Sequence, residues 1–364
     1  MIYAQLEPKI SGQVSLPVHF DPRNILIIDF GQLGDVVLSL PALKAIRKRF
    51  PDARLTVAVG KPGGQIVTLS GFANEVIEVD RVSLRDGSKL VSIARIFRLV
   101  GKVRQAKFDF VIDLHSLSET NLLGFLSGAP QRLFAQRPGR SIDYLGNFKP
   151  KPPAESSSDH LVDRYLKVLQ PLGIENPSRY PLLKTSNAGD RHIEALLKKQ
   201  KAHSNTLLVG LFPGAGHEGR RWPMERFAEL ADFLIRNDRV RVIVFAGPEE
   251  RALIPQLKTL FPATTIFLDQ LTIEQLASAQ ARLTLFISND TGPMHIAAAV
   301  GTPVITLLDR PTPNSFVPIG EHHKVIGGPT IQHITVEQVY SVAHETLANS
   351  RTENLFSIAK NADE

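Results

Sequence analysis

The sequence predicts an α/β protein built from two similar units that face each other across a cleft. Three observations lead there. Apolar strand-like runs alternate with helical stretches in both halves of the chain, which argues for mostly parallel sheets with helices on both faces. A proline- and serine-rich stretch at 148–158 and a Pro- and Ser-containing segment, Asn176–Ser186, interrupt the alternation before it restarts at Leu207. Short polar turns follow the strands, and in open α/β sheets ligands bind at the carboxyl ends of strands. The expected divisions are 1–175, 176–345 and a polar, frayed tail over 346–364.

Taken in order, Ile25–Phe30 reads as a strand and Asp35–Phe50 as a helix with Ala42, Leu43, Ile46 and Phe50 on one face. Pro41 must open that helix or kink it near its start. Leu55–Val59 is the next strand, Leu90–Gln105 a helix with basic residues on its exposed face, and Phe108–Leu114 a third strand. A helix over Asp159–Leu172 closes the first unit. The second holds strands at Leu207–Phe212, Val240–Ala246, Thr264–Leu268, Leu283–Ile287 and Val304–Leu308, with helices at Pro223–Arg236, Glu249–Phe261 and Glu274–Gln280. A small-residue helix follows from Pro293 to Val300, stopped by Gly301.

The 364 residues are enough for two domains with large cores, and 43% hydrophobic with 21% charged residues is a globular composition. No apolar run approaches the roughly 20 residues that span a bilayer, and Met1–Pro22 has no apolar core of signal-peptide type, so a cytoplasmic protein is expected. Cysteine is absent, which removes disulfides, thiolate nucleophiles and cysteine-held metals. The net charge is +6, and basic residues crowd the stretch from Arg23 to Lys107, among them Lys61, Arg81, Arg85, Lys89, Arg95, Arg98, Lys102 and Arg104. An anionic partner suits that half: an acidic glycolipid or a membrane surface. No nucleic-acid module or zinc spacing is present, and no nucleic acid is expected.

Five turns carry candidate chemistry. Ser288-Asn289-Asp290-Thr291-Gly292 leads from a strand into a helix, so backbone N–H groups at the positive end of the helix dipole offer a phosphate site, with His295 in the first turn. Gly31-Gln32-Leu33-Gly34-Asp35 presents Asp35 at the mouth of the first sheet, as a helix cap or as a general base. Pro213-Gly214-Ala215-Gly216, followed by Arg220-Arg221-Trp222-Pro223, is a glycine-rich loop without a Walker lysine. Its glycines allow close approach to a phosphate, and either arginine could neutralise a diphosphate. Glu249 and Glu250, just past a strand end, suit ribose hydroxyls or a helix start. Asp113-Leu114-His115-Ser116 ends the third strand, with His115 either a loop histidine held by a structural bond or a contact to an acceptor. No Asp-x-Asp pair offers itself for a metal–diphosphate complex, and no cofactor or metal is expected.

Together these segments resemble the ADP-heptose:lipopolysaccharide heptosyltransferases, glycosyltransferase family nine. The resemblance runs over about 24–345. It rests on Ile25–Pro41, Val111–His115, Asp159–Tyr165, Pro213–Ala215 with Arg221–Pro223, and Ser288–His295, in that order. It implies a GT-B architecture of two Rossmann-like domains, the N-terminal one holding the acceptor and the C-terminal one the nucleotide-sugar donor. It also implies metal-independent transfer with inversion of the anomeric centre. Asp35 would be the base on the acceptor hydroxyl. Asp290, Thr291, Gly292 and His295 would line the diphosphate site, and Glu249 or Glu250 would take the ribose. One departure stands out: where well-studied members carry a lysine two residues before the Trp-Pro pair, this chain has Arg220, whose forked guanidinium replaces a point charge. Ala215 and Gly216 bring no hydroxyl to the phosphates.

In this reading Arg220, the helix-start amides of residues 291–293 and a protonated His295 absorb the charge of the departing nucleoside diphosphate. An anionic lipid-linked saccharide is the expected acceptor. Gly34, His115, Lys61, Arg132, Arg137 and Arg140 are its candidate contacts, with peripheral contact at the inner membrane. The rival readings are a same-family transferase for another nucleotide sugar and acceptor (O-antigen, capsule or natural product), a nucleotide-sugar epimerase, and a non-catalytic nucleotide-binding protein.

Overall fold

The structure, a computed structural model, describes residues 20–81, 89–202, 206–310 and 315–362. Arg85 and the segment 1–19 lie outside them. The chain forms two parallel sheets. The first contains β1 (Asn24–Asp29), β2 (Arg54–Gly60), β3 (Glu75–Val79), β4 (Phe110–Asp113) and β5 (Gln131–Phe134), in the spatial order β3-β2-β1-β4-β5. The second contains β6 (Leu208–Phe212), β7 (Arg241–Phe245), β8 (Ile266–Leu268), β9 (Leu285–Asn289), β10 (Val304–Leu308) and β11 (Lys324–Gly327), in the order β11-β10-β9-β6-β7-β8. The central strands are apolar except near their ends, because helices cover both faces, and in register Ile27 lies between Val57 and Ile112 and Leu211 between Val244 and Ile287.

On one face of the first sheet pack α1 (Leu33–Arg49), α2 (Gly64–Ser70) and α5 (Leu161–Val168). The other face carries α3 (Lys89–Gln105) and α4 (Ser118–Leu126). Pro41 sits inside α1 and is buried. The second sheet is flanked by α6 (Asn187–Lys199), α7 (Met224–Asp238), α8 (Ile254–Leu260), α9 (Ile273–Gln280), α10 (Gly292–Ala299) and α11 (Val336–Ala362). The stretch from 346, expected as a frayed tail, continues α11, where Leu347 is buried.

Each half has core clusters of its own, and one further cluster spans both. Ile296 and Ala299 of α10 and Ala277 of α9 share a buried cluster with Val37, Leu40 and Ile66 of the first half. The connecting chain is tied in as well, with Leu183 N–H donating to the Ala299 carbonyl at 2.8 Å. This packing sets the start of α1 against the start of α10, so the carboxyl ends of both sheets open into one cleft.

Candidate active site

The first wall of the cleft grows from β1. Gly31 follows the strand because nothing larger fits: a Cβ there would lie 2.4 Å from the Asp35 Cβ and 3.1 Å from Asp29 Oδ1. The turn is held by Arg81, which donates to the Phe30 carbonyl. Asp35 then caps α1, its Oδ2 accepting from the Gln32 N–H at 2.8 Å, and its carboxyl also lines the cleft. Burial raises its pKa and the charge of Asp29 adds to that, against the Gln32 hydrogen bond and the charges of His115 and Arg137. Asp29, 1% exposed, is pushed up by burial. Its interaction with His115, whose Nδ1 is 3.7 Å from Oδ1, together with Ser39 and the Gly31 N–H outweighs burial and leaves its pKa low. His115 is aimed there by a rigid turn in which buried Asp113 accepts from the Ser116 N–H at 2.7 Å and from Asn121 Nδ2 at 2.8 Å. Burial lifts the Asp113 pKa to about 6.

The second wall grows from β9. This strand ends two residues later than the sequence suggests, at Asn289, because the Asn289 side chain is a structural bracket and not part of a free turn. Its Nδ2 donates to the carbonyls of Pro213 and Gly214 and its Oδ1 accepts from the Trp222 N–H at 3.0 Å. Thr291 is the N-cap of α10 but its side chain makes no cap bond. Pro293 has no N–H, so among residues 291–293 only Thr291 and Gly292 have an amide to offer. His295 is buried. That burial, with the nearby His160, lowers its pKa to about 3, so it is neutral and does not bring the positive charge that the sequence suggested. Charge comes instead from two arginines. Arg310, which no motif flagged, holds Asp290 at 3.3 Å and Asp309 at 3.6 Å, and Arg220 Nε stands 3.9 Å from Asp309. Burial raises the Asp290 pKa against the pull of Arg310 and Arg220.

Behind this wall lies the glycine-rich loop. Gly214 rests on Glu250, whose Oε1 would be 2.3 Å from a Cβ there, while Glu250 Oε2 accepts from the Gly247 N–H at 3.0 Å. Glu250 is therefore buried between two strand-end loops, its pKa raised by that burial, whereas Glu249 is exposed. Arg221 Nε donates to the Ala215 carbonyl at 3.0 Å and fastens the loop. Ala215 is buried and Gly216 exposed.

The walls meet in a pocket of about 560 Å³ lined by Gln32, Gly34, Asp35, Arg220, Asp290, Thr291, Gly292, His295, Arg310, Ser315 and Phe316. The approach is close: a Cβ on Gly34 would lie 2.7 Å from the His295 ring, and one on Gly292 3.0 Å from Leu33. Buried Arg137 pairs with Glu155 at 2.5 Å, Glu155 pairs with Arg164 at 3.3 Å, and the Arg164 guanidinium lies over the Phe316 ring. A chain of contacts thus runs from the Asp35 side to the opposite lip. Seven of the residues singled out in the sequence line this pocket, with His115 and Arg137 acting on Asp35 from behind. Gly214, Ala215, Gly216, Arg221, Glu249 and Glu250 belong to the loops behind the second wall and do not line the pocket, and three acceptor candidates are elsewhere. Lys61 lines a separate pocket with Glu78 and Arg95. Arg132 is occupied by the carbonyls of Leu145 and Ala129, and Arg140 is exposed. Gln32, Arg310, Ser315 and Phe316 are the additions. Among the described residues no cluster of three or more His, Asp or Glu could hold a metal ion.

Comparison with known proteins gives a consistent picture. The family model described as glycosyltransferase family 9 (heptosyltransferase) matches residues 96–344. Lipopolysaccharide heptosyltransferase 3 of Escherichia coli is 24% identical over 279 residues, 75% of this chain and 80% of that protein. Among solved structures, a family 9 glycosyltransferase from Veillonella parvula has a TM-score of 0.78 at 23% identity, covering 90% of this chain and 97% of that one. The E. coli heptosyltransferase WaaC with ADP has a TM-score of 0.73 at 21% identity, covering 89% and 99%.

Proposed function

This chain belongs to glycosyltransferase family 9, the heptosyltransferase family, and from that premise we propose that it moves a heptose from ADP-heptose to an anionic, lipid-linked lipopolysaccharide core acceptor, with Asp35 as general base. The observation that carries the reading is the shared pocket: a half-buried carboxylate from one sheet stands across from two arginines and a helix N-terminus from the other. Asp35 takes the proton of the acceptor hydroxyl, and that oxygen attacks the anomeric carbon from the face opposite the diphosphate. The sugar–phosphate bond breaks with inversion and ADP departs. Arg220, Arg310 and the amides at the start of α10 take up the charge that develops on the leaving diphosphate, each such donor contributing on the order of a hundredfold in rate. His295 stays neutral and serves as a hydrogen-bond partner. Asp290 orients Arg310, and Glu250, fixed beneath the glycine-rich loop, is the ribose contact in preference to exposed Glu249.

ADP as the nucleotude is supported by the relative solved with ADP; Arg220 in the place of the usual lysine is the feature that favours a different nucleotide. Calorimetry with ADP, UDP, GDP and CDP, without and with Mg²⁺, separates the two. We expect ADP to bind best with or without the metal, and Arg310→Ala to weaken it by about tenfold or more, as for loss of one charge-assisted pair. A preference for UDP or GDP would move the donor elsewhere within the family.

A further inference from the structure

The outer face of the first sheet carries an apolar surface that the transfer reaction does not use. In α3 the inward positions Ser92, Leu99 and Val103 cover the sheet. Beside them Ile93, Ile96 and Phe97 project outward, spaced so that all three fall on one side of the helix, and Phe97 is 72% exposed. Val91 is exposed too, and so are Leu122 and Phe125 on the adjoining α4. Large apolar side chains concentrated on one helix in this way mark an interaction surface.

The charge of the same helix identifies the partner. The segment Lys89–Gln105 contains Lys89, Arg95, Arg98, Lys102 and Arg104 and no Asp or Glu. The acidic groups near it are Glu75 on β3, paired with Arg54 and Lys102, and Glu78 and Asp80, which share a pocket with Arg95 and Lys61, Glu78 also packing on Gly64 of α2. Arg98 and Arg104 point to solvent. A basic helix with an apolar ridge is suited to lie in the interface of an anionic bilayer, the ridge among the acyl chains and the guanidinium groups at the phosphates. Its position agrees with this. In a parallel crossover from β3 to β4 the helix starts at the carboxyl edge of the sheet, so Val91–Phe97 lie toward the edge that bears Asp35. We propose that α3 is the membrane-docking element of this protein and seats the N-terminal half on an anionic phospholipid surface with the cleft beside it. The proposal rests on the lipid-linked acceptor proposed above.

The test uses the full chain with vesicles of phosphatidylcholine alone or mixed with phosphatidylglycerol, in a co-sedimentation assay at low and high salt. We expect binding to the mixed vesicles only, weakened by salt, and reduced about tenfold or more in Ile93→Ser/Phe97→Ser. Melting temperature and transfer to a water-soluble acceptor analogue should be unchanged. Absence of binding, binding that survives the double substitution, or a substitution that instead dissociates a dimer in sedimentation velocity would overturn the proposal, the last by assigning the ridge to a second copy. Failure of the wild-type protein to transfer sugar while vesicle binding behaves as expected would count against the heptosyltransferase reading and leave the docking surface standing.

Discussion

Burial sets the chemistry of the two titratable side chains on either side of the cleft floor, and it acts on them in opposite senses. It raises the Asp35 pKa, which makes the carboxylate a stronger base, while its cap bond to Gln32 keeps it aimed. It lowers the His295 pKa to about 3, so the imidazole is neutral at the protein's working pH. The second shift is also a statement about stability. An unfolded histidine with a pKa of 6.5 binds a proton well before the folded one does, so the folded state loses ground as pH falls from about 6.5 toward about 3. His295→Gln removes that difference. We expect urea midpoints measured from neutral pH downward to fall less steeply for this variant than for the wild type. The placement of Asp35 at the first turn was readable from Gly31 and Gly34 around it, whereas neutral His295 was not, because sequence shows a histidine but not the apolar packing that strips it of charge. Arg310 was invisible for another reason: it follows β10 with no motif around it, and only the fold brings it beside Arg220 and Asp290.

Among the elements, the central strands and helices α1, α3 and α7 were legible from their apolar runs and helical spacing, whereas α6 and the 27-residue α11, whose second half reads as a polar tail, were not. The strands that escaped are at sheet edges: β3, β5 and β11 are short, and their polar residues reflect half-solvated positions. Helices α2 and α4 escaped because they are short and interrupted by small or polar residues. The segment between the glycine-rich loop and α7 is held by Trp222, whose Nε1 donates to the Ile334 carbonyl at 2.9 Å and whose ring packs edge-on against Phe227. With Asn289 it joins the loop, β9 and the start of α11 into one unit. Trp222→Ala should cost about 3–5 kcal/mol in urea denaturation, the usual range for emptying a buried aromatic site. It should also weaken ADP binding, since the loop loses its anchor.

At the scale of the whole molecule, the proposed transfer depends on the two halves meeting through α1 and α10, which brings the carboxyl ends of both sheets to one cleft. Each half alone offers a familiar part, a capped helix with a carboxylate or a helix start with nearby arginines, and neither part is a transferase. The shared core of α1, α9 and α10, the fit of Gly34 against His295, and the chain from Arg137 through Glu155 and Arg164 to Phe316 bring the parts together. That meeting was legible only as an expectation from two repeats of one α/β pattern. Its residues, apart from Gly34, His295 and Arg137, carry no signal of their own. The most direct test is Asp35→Asn, which keeps a side-chain oxygen for the Gln32 cap and removes the base. We expect kcat to fall by about 10²–10⁴, with the calorimetric affinity for ADP changed by less than about twofold and the fold intact by circular dichroism. Turnover close to that of the wild type would contradict the account, because the carboxylate facing the donor wall would then not be the group that accepts the proton.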